Sequence, residues 1–288
     1  MKLKSFKCYK CSTTLIFPLG NYCSNCGVYI TPFHGLHVRW FGIVFLFSIL
    51  IGYVVSNDIG IYMSNIVLGC WIIFVVIRNR ISFILVFGAI PRGYNWFSLV
   101  FLVIFGVVFS VGTIPLTWYP ISRIDPELVN EILSETISDS RVNLFIFIVL
   151  MAPVLEEIIF RGIIFTRFSL KWGNKKAILV SSLIFGILHV DPIGATVFGV
   201  LTCILYIRTN TLIVPIVLHS MNNGIAWLLS NSSEMQSFNP EELLPVSLVA
   251  IVLSLPVLIF ILRRWWPLLG HNTPYQLNKQ QNDLREYF

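Results

Sequence analysis

Charge is what this sequence has least of. Only 12% of its 288 residues are Asp, Glu, Lys or Arg, against 56% hydrophobic and 14% aromatic, whereas a soluble domain carries roughly 25% charged residues. With a mean hydropathy of +0.79, that scarcity excludes an ordinary soluble globule, a disordered chain and a collagen-like one. Internal repeats and low-complexity segments are missing too. So are a G-x-S-x-G nucleophile elbow and an H-E-x-x-H zinc helix, which removes two standard hydrolase frameworks. No secretory leader is expected before the first apolar run, because a polar, Lys- and Cys-bearing stretch of about 35 residues comes first.

What is there reads as an all-α polytopic membrane protein of about eight helices. A span needs about 20 mainly apolar residues, and candidates lie at 38–55, 59–77, 97–116, 142–164, 176–190, 193–207, 211–229 and 245–263. Residues 81–90 are apolar but short and flanked by Arg78, Arg80 and Arg92, so they read as interfacial. With the N-terminus inside, all of the 20 basic residues except Arg123 and Arg141 fall in cytoplasmic segments. The opposite loops collect Asp58, Asp125, Glu127, Glu131, Glu135, Asp139, Asp191, Glu234, Glu241 and Glu242. Both termini are therefore expected in the cytosol. The formal charge of +6 reflects orientation in a lipid bilayer and predicts no nucleic-acid partner.

Six cysteines divide into four and two. Cys8, Cys11, Cys23 and Cys26 make two C-x2-C knuckles, with Gly20-Asn21 and Asn25-Cys26-Gly27 as turn residues between and after them. Four thiolates so spaced suit one tetrahedral structural zinc, and a reducing cytosol disfavours the alternative of two disulfides. Cys70 and Cys203 are isolated in apolar stretches and read as core packing. The domain plan is thus a zinc-ribbon-like cytosolic segment at 1–35, a helical bundle at 36–266 and a polar, flexible or interfacial tail at 267–288.

Ionisable residues inside a span are costly and by default mark a function. The fourth span carries Glu156, Glu157 and Arg161. Adjacent residues diverge by about 100° on a helix, so the pairing at i, i+4 joins Arg161 to Glu157 and leaves Glu156 pointing elsewhere. A structural ion pair accounts for Glu157 and Arg161 but not for Glu156. Phe185 and His189 share one face of the fifth span, and His219 and Asn223 share one face of the seventh. Singly, each His could be a satisfied interhelical donor. Yet Glu156, His189, His219 and Asn223 all fall roughly 12–20 Å into the membrane by residue rise, where they can meet at one level.

E-E-x-x-x-R, F-x-x-x-H and H-x-x-x-N on successive helices resemble the CPBP intramembrane proteases, a family with an Abi-like domain. It comprises the CAAX prenyl endopeptidases and the bacteriocin-processing or self-immunity proteins. The match rests on Glu156, Glu157, Arg161, Phe185, His189, His219 and Asn223, with the neighbouring Asn222 an alternative to Asn223. It covers a protease core at about 140–230 and leaves the ribbon and the first three spans outside. The resemblance implies an eight-helix bundle of the bacterial cytoplasmic membrane, with an active site inside the membrane open to the cytosol. The substrate class it implies is a peptide or membrane protein: a CAAX-like segment, a leader peptide or a membrane-protein tail.

Peptide hydrolysis needs an activated water and a stabilised oxyanion. The roles expected are Glu156 as general base, His189 as water orienter and proton donor to the leaving amine, and His219 and Asn223 as oxyanion donors. Glu157 and Arg161 hold the helix face, unless Glu157 shares the base role. Glu156, His189 and His219 could instead ligate a catalytic divalent metal with one position open for water. Two other classes stand beside the peptidase: an idle scaffold or immunity protein, and a proton-coupled transporter, against which the missing inverted repeat argues. Substrate identity and oligomeric state are not written in the sequence.

Overall fold

The computed structural model describes residues 5–7, 11–16, 23–27, 33, 36–55, 58–129, 145–230, 239–266 and 272–285. Cys8, Arg141 and the acidic residues Glu131, Glu135, Asp139 and Glu234 lie outside the described residues. The chain begins with a two-stranded antiparallel hairpin, β1 (Ser5–Lys7) and β2 (Thr14–Ile16), in which Phe6 stands opposite Leu15. The rest is helical: α1 (Arg39–Val55), α2 (Asp58–Asn79), the short α3 (Phe83–Phe87), and α4 (Phe97–Ser122). A continuous helix α5 follows at 145–172, then α6 (Asn174–Ile187), α7 (Pro192–Thr209), α8 (Ile213–Ser230), α9 (Pro240–Trp265) and α10 (Pro274–Arg285).

Each of the eight apolar runs expected to span coincides with a helix. Three of them, α4, α7 and α9, are long and apolar enough to cross a membrane; α1, α2 and α8 contain shorter apolar stretches. The ends follow ordinary helix chemistry. α9 opens with Asn239 accepting from the Glu241 N–H at 3.1 Å and Pro240 in its first turn. Glu241 and Glu242 then complement the positive end of its dipole, and Arg263 and Arg264 the negative end. Trp40, Leu46 and Val54 on α1, and Val252, Leu253 and Phe260 on α9, are exposed, as apolar surface is when lipid covers it.

Two apolar clusters meet at α7. One joins α1, α2, α5 and α6 through Phe41, Ile72, Phe160, Ile164, Ile178 and Phe185, against Cys203 and Ile204 of α7. The other joins α4, α8 and α9 through Leu102, Phe105, Phe109, Leu218 and Ile261, against Leu201 and Leu205 of α7. Polar residues placed where these clusters abut are therefore excluded from bulk water without lying in a separate domain.

Two expectations change here. Residues 274–285 of the polar tail are not loose: α10 docks on α3, with Asn278 Nδ2 donating to Leu85 O and Asn210 O, both at 2.9 Å. Its polar side chains satisfy carbonyls left open where neighbouring helices end, a demand that composition alone does not reveal. Phe33, fully buried, meets Tyr275 of α10 edge-on at 5.0 Å, and Arg167 Nε donates to Leu36 O at 3.1 Å. Phe33, Leu36 and α10 are thus pinned to one another and to the bundle. Cys203 is core as expected, but Cys70 is exposed on α2.

Candidate active site

Helix α5 is not a uniform α-helix. It runs as a π-helical stretch Phe147–Met151, an α-helical turn Ala152–Glu157, a second π stretch Ile158–Phe165 and a final α-helical segment Thr166–Trp172. The wider π turns displace faces from their 3.6-residue positions and disturb the carbonyl ladder. Neighbouring side chains meet that ladder: Asn223 Nδ2 of α8 donates to Ile148 O at 3.0 Å, and Thr166 Oγ1 donates to Arg161 O at 3.1 Å.

Glu156 and Glu157 sit at the end of the α-helical turn between the two π stretches. Arg161 Nη1 lies 3.0 Å from Glu157 Oε1, both side chains wholly buried, so the i, i+4 pair read from spacing is present. The guanidinium also lies over the Phe185 ring, its carbon 4.3 Å from the centroid. The same Glu157 oxygen accepts from His219 Nδ1 at 3.0 Å, while His219 Nε2 faces Glu156 Oε2 at 3.8 Å. The two carboxylates diverge along the helix, yet one imidazole spans them by presenting a different nitrogen to each.

His189 completes the group from the turn after α6. Its Nδ1 lies 2.6 Å from Phe185 O; a carbonyl can only accept, so Nδ1 carries the proton. Its Nε2 points at Glu156 Oε2 from 3.6 Å. Both imidazoles thus carry a proton on Nδ1 and turn Nε2 towards one carboxylate oxygen, Glu156 Oε2. The Glu156 side chain is 30% exposed, but its Oε2 is buried with no hydrogen-bond partner.

A cavity of about 240 Å³ opens beside this point. Its walls include Phe105, Gly106 and Phe109 of α4, Phe185 of α6 and Phe198 and Leu201 of α7, and its polar groups are Ser110, His189, Asp191, His219, Asn222 and Asn223. Sequence reasoning singled out neither Asp191 nor α4 for the site. The Asp191-Pro192 pair was a legible helix start, since an Asp cap followed by Pro at the first helical position is a common signal. The ambiguity between the two asparagines resolves into two positions. Asn223 reaches across to α5, whereas Asn222 faces α4, where a Cβ on Gly106 would stand 3.1 Å from its Oδ1.

Among the described residues, one group of donors lies close enough for a metal: Cys11, Cys23 and Cys26, with their sulfurs within 4.8 Å of one another. Cys11 Sγ and Cys23 Sγ are 3.6 Å apart, too far for a disulfide and near the separation of about 3.8 Å that two thiolates keep on a tetrahedral zinc. Gly27 takes φ +66° and its N–H donates to Cys23 O at 2.9 Å, closing the second knuckle in a conformation that favours glycine. No choice of atoms from Glu156, His189 and His219 meets the same closeness.

Residues 138–225 match the family described as type II CAAX prenyl endopeptidase Rce1-like. Over 113 residues, 36% of this chain and 43% of the relative, the sequence is 36% identical to the membrane-embedded CAAX protease MroQ of Staphylococcus aureus (strain USA300). Over 77 residues, 26% of this chain and 32% of the relative, it is 44% identical to a Bacillus subtilis (strain 168) protein named as a membrane peptidase, YdiL. The chain thus spans less than half the length of these curated relatives. No solved structure matches it.

Proposed function

We propose that this chain, whose residues 138–225 match the Rce1-like CAAX endopeptidase family, is an intramembrane endopeptidase that hydrolyses its substrate with a water held by Glu156 and two histidines. The convergence of His189 Nε2 and His219 Nε2 on Glu156 Oε2, at 3.6 and 3.8 Å, carries this reading. Glu156 takes a proton from the water as its oxygen attacks the scissile carbonyl carbon. His189 orients the water, takes that proton from Glu156 on Nε2 and passes it to the leaving amine as the C–N bond breaks. His219, as an imidazolium with its Nδ1 on the Glu157 carboxylate, donates to the oxyanion from Nε2. The second amide hydrogen of Asn223, beyond the one given to Ile148 O, adds a donor. No step is routed through a metal.

The proposed setting is an eight-span bundle in the bacterial cytoplasmic membrane with both termini cytosolic, on the strength of the basic-residue distribution. The proposed substrate is a peptide segment near the membrane, either CAAX-like or an unmodified leader peptide or membrane-protein tail. Cleavage of prenylated and unmodified membrane peptides by the detergent-purified protein tests the reading. Wild type is expected to cleave at least one class and His189→Ala none. A folded wild type that cleaves neither class would overturn it in favour of a scaffold or immunity role.

The N-terminal thiols belong to the same proposal as a structural zinc site of Cys8, Cys11, Cys23 and Cys26. Closed four-thiolate sites leave no position for chemistry. Metal analysis of the purified protein is expected to find about one zinc per chain, lost in Cys23→Ser. Zinc retained in that variant would remove the site.

A further inference from the structure

His189 stands in a four-residue turn between α6 and α7, and a turn holds a side chain less firmly than a helix does. Here the turn is gripped from α4, which lies before the residues matched to the Rce1-like family. Thr113 Oγ1, on a side chain 1% exposed, donates to Asp191 Oδ2 at 2.7 Å, and Trp118 Nε1 donates to Val190 O at 2.9 Å. Asp191 Oδ1 accepts from the Gly194 N–H at 2.9 Å and so caps α7. A Cβ on Gly194 would stand 2.0 Å from Asp191 Oδ2, so the carboxylate and α7 approach as only glycine permits. A helix cap needs one carboxylate oxygen; the second is turned to a helix 78 positions away in sequence.

We propose that α4 is the positioning element for His189, with Thr113 and Trp118 as positioning residues that hold the His189–Pro192 turn so that Nε2 stays on Glu156. The proposal rests on the endopeptidase reading above and extends it to a helix outside the family match. Neither residue touches the reacting atoms. The two bonds fix Val190 and Asp191, the next two residues after His189, and the His189 Nδ1 contact to Phe185 O fixes its other side. Without the α4 contacts the imidazole keeps Phe185, at its carbonyl and its ring, as its main support, and its Nε2 is free to shift from Glu156.

Thr113→Val keeps the shape and removes the donor, Thr113→Ser keeps the donor, and Trp118→Phe removes only Nε1–H with its ring volume. In the full chain in detergent, Thr113→Val is expected to lower kcat about tenfold with KM unchanged, since sub-ångström misplacement of a catalytic group has effects of that order. Thr113→Ser should return kcat to near wild type. Mass-spectrometric rates of diethyl pyrocarbonate modification give a readout independent of turnover. The His189 rate relative to His219 should rise several-fold in Thr113→Val and in Trp118→Phe, and not in Thr113→Ser. An unchanged ratio overturns the proposal, as does a changed ratio with unaltered kcat or an effect on KM alone. If wild type cleaves no peptide, the endopeptidase reading falls, and the modification ratio alone decides whether α4 holds the turn.

Discussion

Glu156→Gln is expected to lower kcat/KM by about 10³-fold while leaving the protein folded, because removing a general base costs typically 10²–10⁴ in rate. The substitution keeps the size and shape of the side chain. It also keeps a polar group that can accept from or donate to the two Nε2 atoms it faces, so packing and hydrogen bonding do not suffer. What the amide cannot do is accept the proton of the attacking water. Steady-state kinetics on whichever peptide the wild type cleaves, paired with a thermal melt of both proteins, checks this. Unchanged turnover in Glu156→Gln would sink the mechanism, and a lost melt would shift the result from chemistry to folding.

The sequence carried the fold further than it carried the site's internal wiring. Apolar runs located the helices because lipid-facing and core-facing residues are alike hydrophobic, so length and charge punctuation suffice. Glu157 and Arg161 were readable because i, i+4 spacing is local. The bridging of Glu156 and Glu157 by the two nitrogens of His219 was not, since it depends on a helix 62 positions away and on π turns that no 3.6-residue period announces. Asp191 looked like one more acidic residue in an outer loop; only its bond to Thr113 makes it part of the site. The docked tail was missed for a related reason. α10 is held by polar bonds to carbonyls of distant segments, and polar composition reads the same whether a helix is docked or free.

The second large effect concerns Arg161. Arg161→Ala is expected to destabilise the fold by about 3–5 kcal/mol, the usual result when one partner of a buried ion pair is removed and the other is left behind. Its guanidinium is fully buried, 3.0 Å from Glu157 and stacked over Phe185, so the variant loses a charge partner, packing and a cation–π contact together. Denaturant or thermal unfolding in mixed micelles measures the loss, and an unaltered midpoint would remove the structural role. The double variant Arg161→Met with Glu157→Gln separates the two duties of Glu157. Replacing both charges with groups of similar volume should recover much of the stability, since no buried charge is then unpaired. Activity should not recover with it: His219 Nδ1 would face a neutral amide in place of a carboxylate, and the imidazolium needed to stabilise the oxyanion would lose its counter-charge. Recovery of both would reduce Glu157 and Arg161 to a staple between helices. Recovery of stability alone would make Glu157 the group through which a structural ion pair sets the chemistry of His219.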